Sequence, residues 1–258
     1  MRRIGVLAGW LSTVLTAGLV ACSSHSSSSA PAQGPGSILV FAAASLKSTF
    51  TTIGEQFKSE NTGVSVEFEF LGSSELATQL TQGATADVFA SADTAQMDKV
   101  AQAGLLDANP TNFAANSLVI VTAPGNPKNV ASFADLNKPG LSVVVCQQPV
   151  PCGAAAHRVE DSTGVQLHPV SEETNVTDVL NKVTTGQADA ALVYLTDALN
   201  AGRKVTTVKF PEAANAVNVY PIAVLKKAPQ SSLAQKFVAL VTGASGQQIL
   251  SQAGFQKP

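Results

Sequence analysis

Four short stretches of the chain place small and hydroxylated residues where an apolar run gives way to a helical pattern. They are Phe41-Ala42-Ala43-Ala44-Ser45-Leu46, Leu71-Gly72-Ser73-Ser74-Glu75, Pro151-Cys152-Gly153 and Thr174-Asn175-Val176-Thr177. Alanines and glycines let another group approach the backbone closely. A helix N-terminus exposes amide donors and carries partial positive charge, so each junction is suited to an anion. One such junction is an ordinary cap. Four on one chain, at the carboxyl ends of strands, fall where open α/β folds bind ligands.

Catalytic signatures do not accompany them. The chain has no G-x-S-x-G elbow, Walker loop, G-x-G-x-x-G or H-E-x-x-H. Glu67 and Glu69 share one face of an alternating strand, as a solvated face would. Glu172-Glu173 precedes a helix, where negative side chains suit the dipole. His157, beside Arg158, reads as a surface residue of a helix, and His168, before Pro169, as one of a loop. Ser45 or Ser73 as a hydrolase nucleophile would need a general base, and no motif supplies one. Tyr194 and Tyr220 are too far apart to resemble the adjacent tyrosines of ferric receptors.

The elements around these junctions alternate. Strands are expected at 38–41, 64–70, 87–91, 117–122, 141–145, 190–194, 205–208 and 219–225. Helices are expected at 45–59, 74–82, 94–103, 153–161, 176–185, 231–240 and 245–252. The alternation predicts mostly parallel sheets covered by helices on both faces. Gly83-Ala84-Thr85-Ala86-Asp87-Val88-Phe89 is echoed by Gly186-Gln187-Ala188-Asp189-Ala190-Ala191-Leu192, as two similar lobes would produce.

The N-terminus is an address. Arg2 and Arg3 precede an uncharged, mostly apolar run to Val20, interrupted by Ser12, Thr13 and Thr16, which has the form of a secretory signal. Leu19-Val20-Ala21-Cys22 resembles a bacterial lipobox, which implies cleavage before Cys22 and its lipidation. Residues 22–36, rich in Ser, Gly, Pro and Ala and containing His25, form a tether. Of the three cysteines, Cys146 and Cys152 remain as an even pair in an exported body, which favours a disulfide over a metal or redox site.

The 258 residues are 45% hydrophobic and 13% charged, with a net charge of −2. Mean hydropathy is +0.18. This composition excludes a disordered chain or a coiled coil, and the absence of basic excess argues against nucleic-acid binding. Loss of Arg2 and Arg3 leaves 14 basic against 18 acidic side chains, a net charge of −4.

Val40-Phe41-Ala42-Ala43-Ala44-Ser45-Leu46, Gly72-Ser73-Ser74-Glu75-Leu76-Ala77, Gly83 to Asp93, Asn116-Ser117-Leu118-Val119 and Ala191-Leu192-Val193-Tyr194 occur in this order. Together they resemble the molybdate-binding proteins of bacterial molybdate ABC importers, over nearly all of 38–258. The resemblance implies an α/β, two-lobed periplasmic-binding-protein-like fold of type II, with the ligand in the cleft. Lobe one would be 37–117 plus 219–258 and lobe two 118–218, after a signal peptide at 1–21.

The same resemblance places ligand contacts on Ser45, Ser73, Cys152, Val176 and Tyr194. Cys152 stands where the family usually has alanine, and Ala155 where relatives often have tyrosine; an amide donor would survive the first change. The implied ligand is molybdate or tungstate, held as an oxyanion, with no separate metal and no cofactor. The implied role is binding and delivery to permease subunits by a monomer, lipid-anchored on the outer face of the cell membrane, and not catalysis. The alternatives are a general, sulfate-type oxyanion receptor, a secreted serine hydrolase and an adhesive lipoprotein.

Overall fold

The computed structural model describes residues 36–258. The signal, Cys22 and most of the tether lie outside the described residues. The first half of the described chain contains β1 (Ser37–Ala43), α1 (Lys47–Glu60), β2 (Ser65–Leu71), α2 (Ser73–Thr81), β3 (Val88–Ala90), α3 (Thr94–Gln102) and β4 (Thr111–Asn116). The second contains β5 (Leu118–Thr122), β6 (Val143–Cys146), α4 (Pro151–Thr163), β7 (Ser171–Glu173), α5 (Val176–Thr184), β8 (Ala190–Tyr194), α6 (Leu195–Ala201) and β9 (Thr206–Val208). The chain returns through β10 (Asn218–Val224) and ends in α7 (Ser231–Thr242) and α8 (Ala244–Gln252).

These elements form two five-stranded sheets, ordered β2-β1-β3-β10-β4 and β7-β6-β8-β5-β9. The two orders are the same arrangement twice. β1, β6 and β8 are apolar and buried along their whole length, as strands covered on both faces must be. β2 is an edge strand that alternates. Val66, Phe68 and Phe70 pack inward, while Glu67 and Glu69 face solvent and blunt the edge. Phe50 and Phe57 of α1 meet Phe237 of α7 edge-on at 5.9 and 5.5 Å between ring centroids, fastening the C-terminal helices to the first sheet.

The echo around Gly83 and Gly186 is structural. Both glycines adopt positive φ, 102° and 74°, after a helix. The aspartates that follow do the same work in each sheet. Asp87 Oδ2 accepts the Leu39 amide at 2.8 Å, and Asp189 Oδ2 accepts the Ser142 amide at 2.9 Å. Each ties the start of the third parallel strand to the central one.

Each sheet is mixed, with four strands running one way and one against them. In the first, β2-β1 and β1-β3 are parallel while β3-β10 and β10-β4 are antiparallel; the second repeats this with β7, β6, β8, β5 and β9. The strands at which the chain enters each sheet from the other, β10 and β5, run against their neighbours. β4, β7 and α6 were not anticipated. β7 is Ser-Glu-Glu, with no apolar residue to report it, and β4 has a single large apolar residue, Phe113.

Candidate functional site

The repeat brings six strand ends to one place. In the first half, β1 leads to Ser45, β2 to Ser73 and β3 to Ala92. In the second, β6 leads to Cys152, β7 to Val176 and β8 ends on Tyr194. All six residues line one small cavity, together with Ala43, Ala44, Gly72, Val150, Pro151 and Asn175. The five residues expected from the sequence are therefore all brought together, and each is at most 9% exposed.

The cavity volume is about 10 Å³. A space this small suits a compact ion better than a sugar or a peptide. No charged side chain lines it.

The lining is built to donate. Ser73 Oγ accepts the Ala92 amide at 3.0 Å, which leaves its own proton free for the cavity. Ser45 Oγ shares a hydrogen bond of 3.0 Å with the Tyr220 hydroxyl. Tyr194 Oη accepts from Asn218 Nδ2 at 2.7 Å, so its proton too must go elsewhere. Asn175 caps α5, its Oδ1 taking the Asp178 amide at 3.0 Å. Pro151 occupies the first turn of α4, where no amide is lost from the helix ladder.

Close approach at the site depends on two glycines. A Cβ on Gly153 would lie 1.9 Å from the Gln147 carbonyl oxygen, so only glycine lets α4 start this near the end of β6. A Cβ on Gly72 would lie 2.2 Å from the Thr174 carbonyl oxygen of the facing half. Gln96 Nε2 adds a second bridge across the halves, to the Pro149 carbonyl at 3.0 Å. Cys146 and Cys152 are joined, with Cα atoms 5.7 Å apart, and tie the start of α4 to β6.

Burial raises the titration of the groups around the cavity. The Tyr194 phenol is raised well above its ordinary value, first by burial and then by Tyr220 and Asp93. Tyr220 is raised by burial as well. Both remain donors at any physiological pH. Asp197 accepts the Tyr194 amide at 3.2 Å, yet burial still pushes its carboxyl up to about 7. Burial also raises Asp93, against the amide bond from Gln96 and the charge of Arg158.

Other candidates stand apart. Glu67 and Glu69 are exposed on the edge strand, and Glu172 and His168 are exposed as well. His157 Nδ1 pairs with Glu160 Oε2 at 2.7 Å. Among the described residues, no imidazole lines the cavity beside Ser45 or Ser73. Sequence reasoning singled out the Gly72 junction but missed Tyr220, Asn218 and Asp197. A larger cavity of about 690 Å³ also borders Ser45, among α1, α5 and α6, and Asp197 and Thr196 line it.

A family model described as bacterial extracellular solute-binding protein matches residues 38–256. The molybdate-binding protein ModA of Mycobacterium tuberculosis (strain H37Rv) is 67% identical over 261 aligned residues, covering 100% of both chains. The periplasmic molybdate-binding protein of Azotobacter vinelandii superposes with a TM-score of 0.75 over 86% of this chain and 99% of its own, at 23% identity. The sulfate-binding protein SubI of M. tuberculosis also gives 0.75, over 86% and 87%, at 20% identity. These two likenesses concern the fold, which is that of two-lobed, type II periplasmic binding proteins. From the family match, the full-length relative and the shared architecture, the chain belongs to the bacterial extracellular solute-binding proteins.

Proposed function

We propose that this protein captures molybdate, and tungstate with it, and delivers the ion to the permease of an ABC importer. The observation that carries the proposal is the convergence of Ser45, Ser73, Cys152, Val176 and Tyr194 on one ion-sized cavity with no charged side chain in its wall. The 67% identity to the mycobacterial molybdate-binding protein supports the same ligand. A fully ionised tetrahedral dianion presents acceptors only, and hydroxyls and helix-start amides satisfy it. Phosphate keeps a proton near neutral pH, and that proton would find no acceptor. Sulfate differs mainly in size, so fit separates it.

Residues 37–117 with 219–258 and residues 118–218 would act as the two lobes that close on the ion. The Cys146–Cys152 bond would persist in exported protein and hold the Cys152 amide in position. Cys22 would carry the lipid that keeps the protein at the outer face of the membrane, as a monomer.

Calorimetric titration of the purified protein with molybdate, tungstate, sulfate and phosphate tests the ligand. Tight binding of the first two, weak sulfate binding and little phosphate binding are expected. Equal affinity for sulfate and molybdate would make this a general oxyanion receptor.

A further inference from the structure

Asn218 begins β10, where the chain returns to the first sheet, and it is 2% exposed. Both protons of its amide and the amide oxygen are engaged. Oδ1 accepts from Arg158 Nη2, and Nδ2 donates to Tyr194 Oη at 2.7 Å and to the Pro151 carbonyl at 3.0 Å. Arg158 has no acceptor to offer. Together with the Pro151 carbonyl, which can only accept, it fixes which way the amide points, and it holds itself there with a second bond to the Ala216 carbonyl at 3.3 Å.

The consequence runs inward. With Asn218 donating to it, the Tyr194 oxygen has its lone pair engaged and its proton must point onward. That proton goes to the cavity, whose wall Tyr194 forms together with Ser45 and Ser73.

We propose that Arg158 and Asn218 are positioning residues that turn the Tyr194 hydroxyl proton into the cavity, and thereby make the site select anions that carry no proton. The inference rests on the molybdate reading and names what enforces its selectivity. With the amide free to turn, Oδ1 would accept the Tyr194 proton. The phenol would then show the cavity a lone pair, which repels molybdate and welcomes the P–OH of phosphate.

The test is a double-mutant cycle read by calorimetric titration with molybdate and with phosphate. Asn218→Ala changes no charge, and Arg158→Met removes one of the amide's two anchors from outside the cavity. In the parent each should lower molybdate affinity about tenfold, the scale of one hydrogen bond to a charged group. Each should also narrow the molybdate-to-phosphate preference. In a Tyr194→Phe background, Asn218→Ala should change affinity less than about twofold, because the group it orients is gone. Arg158→Lys, which keeps a donor and the charge, should restore the parent preference. Thermal melts without ligand confirm that each variant is folded, and Arg158→Met decides the matter if Asn218→Ala is not. Equal losses in both backgrounds, or an unchanged preference in Arg158→Met, would overturn this positioning role while leaving the ligand assignment intact. A parent that fails to bind molybdate would overturn that assignment instead.

Discussion

Gly72→Ala should separate ion binding from folding. A methyl group there would stand 2.2 Å from the Thr174 carbonyl oxygen, and real Cβ contacts begin near 3.0 Å and are ordinary from 3.4 Å. The two halves must therefore part locally by about 1 Å, because the obstacle is backbone on both sides. The cavity wall is divided between those halves, with Ser45 and Ser73 on one and Cys152, Val176 and Tyr194 on the other. A bond of about 2.8 Å stretched by about 1 Å leaves hydrogen-bonding range. If two bonds to a charged ligand are lost, at about 1.5–3 kcal/mol each, affinity falls roughly 10²- to 10⁴-fold. Gly72 precedes α2 at φ −61°, a conformation alanine adopts freely, so the fold itself should tolerate the change. Calorimetric titration with molybdate gives the affinity, and a thermal melt without ligand gives the stability. Binding within threefold of the parent would refute the view that this backbone contact limits closure.

Tyr194→Phe should lower molybdate affinity about 10- to 150-fold by deleting one donor to a charged ligand, at a cost of about 1 kcal/mol in unliganded stability for the lost Asn218 bond; parent-like binding would remove Tyr194 from the site. Asp197 holds a proton in the folded protein up to about pH 7, whereas the unfolded chain releases it near pH 3.9, so its burial makes stability fall as pH rises through that window, by up to about 4 kcal/mol. Asp197→Asn should flatten that slope in urea melts at pH 4.5 and 8, and an unchanged slope would show that Asp197 is ionised when folded. Cys22→Ala should leave the precursor unprocessed or release the protein from membranes, and unchanged membrane association with an unchanged N-terminus would count against lipidation.

Much of this architecture is legible in the sequence because it is local. The alternation of Val64 to Phe70, the buried run of Ala190 to Tyr194 and the glycines ending helices are set by residues a few positions apart. Ser45 and Ser73 are legible as well, since a strand end and a helix start are adjacent in the chain. Asn218 and Tyr220 are not. They reach Arg158, Tyr194 and Ser45 only because β10 is inserted beside β3, and no local pattern encodes that register. Asp197 looks like an ordinary acidic residue in a first helical turn. Its burial comes from the packing of α6 beside β5 and β8, which the seven-residue stretch does not announce.

The place of β10 also dictates an order of assembly. The second sheet is made from one continuous stretch, Leu118 to Val208, whereas the first has β10 between β3 and β4. Until Asn218 to Val224 arrives, β3 has a bare edge and β4 has no partner strand in its sheet. A chain emerging N-terminus first on the far side of a membrane would thus expose its first ninety or so residues while the later half closes. The half that emerges first is completed last. Pulsed hydrogen exchange during refolding should find amides of β6 and β8 protected before those of β3 and β4, and the reverse order would mean that the first sheet forms without its inserted strand.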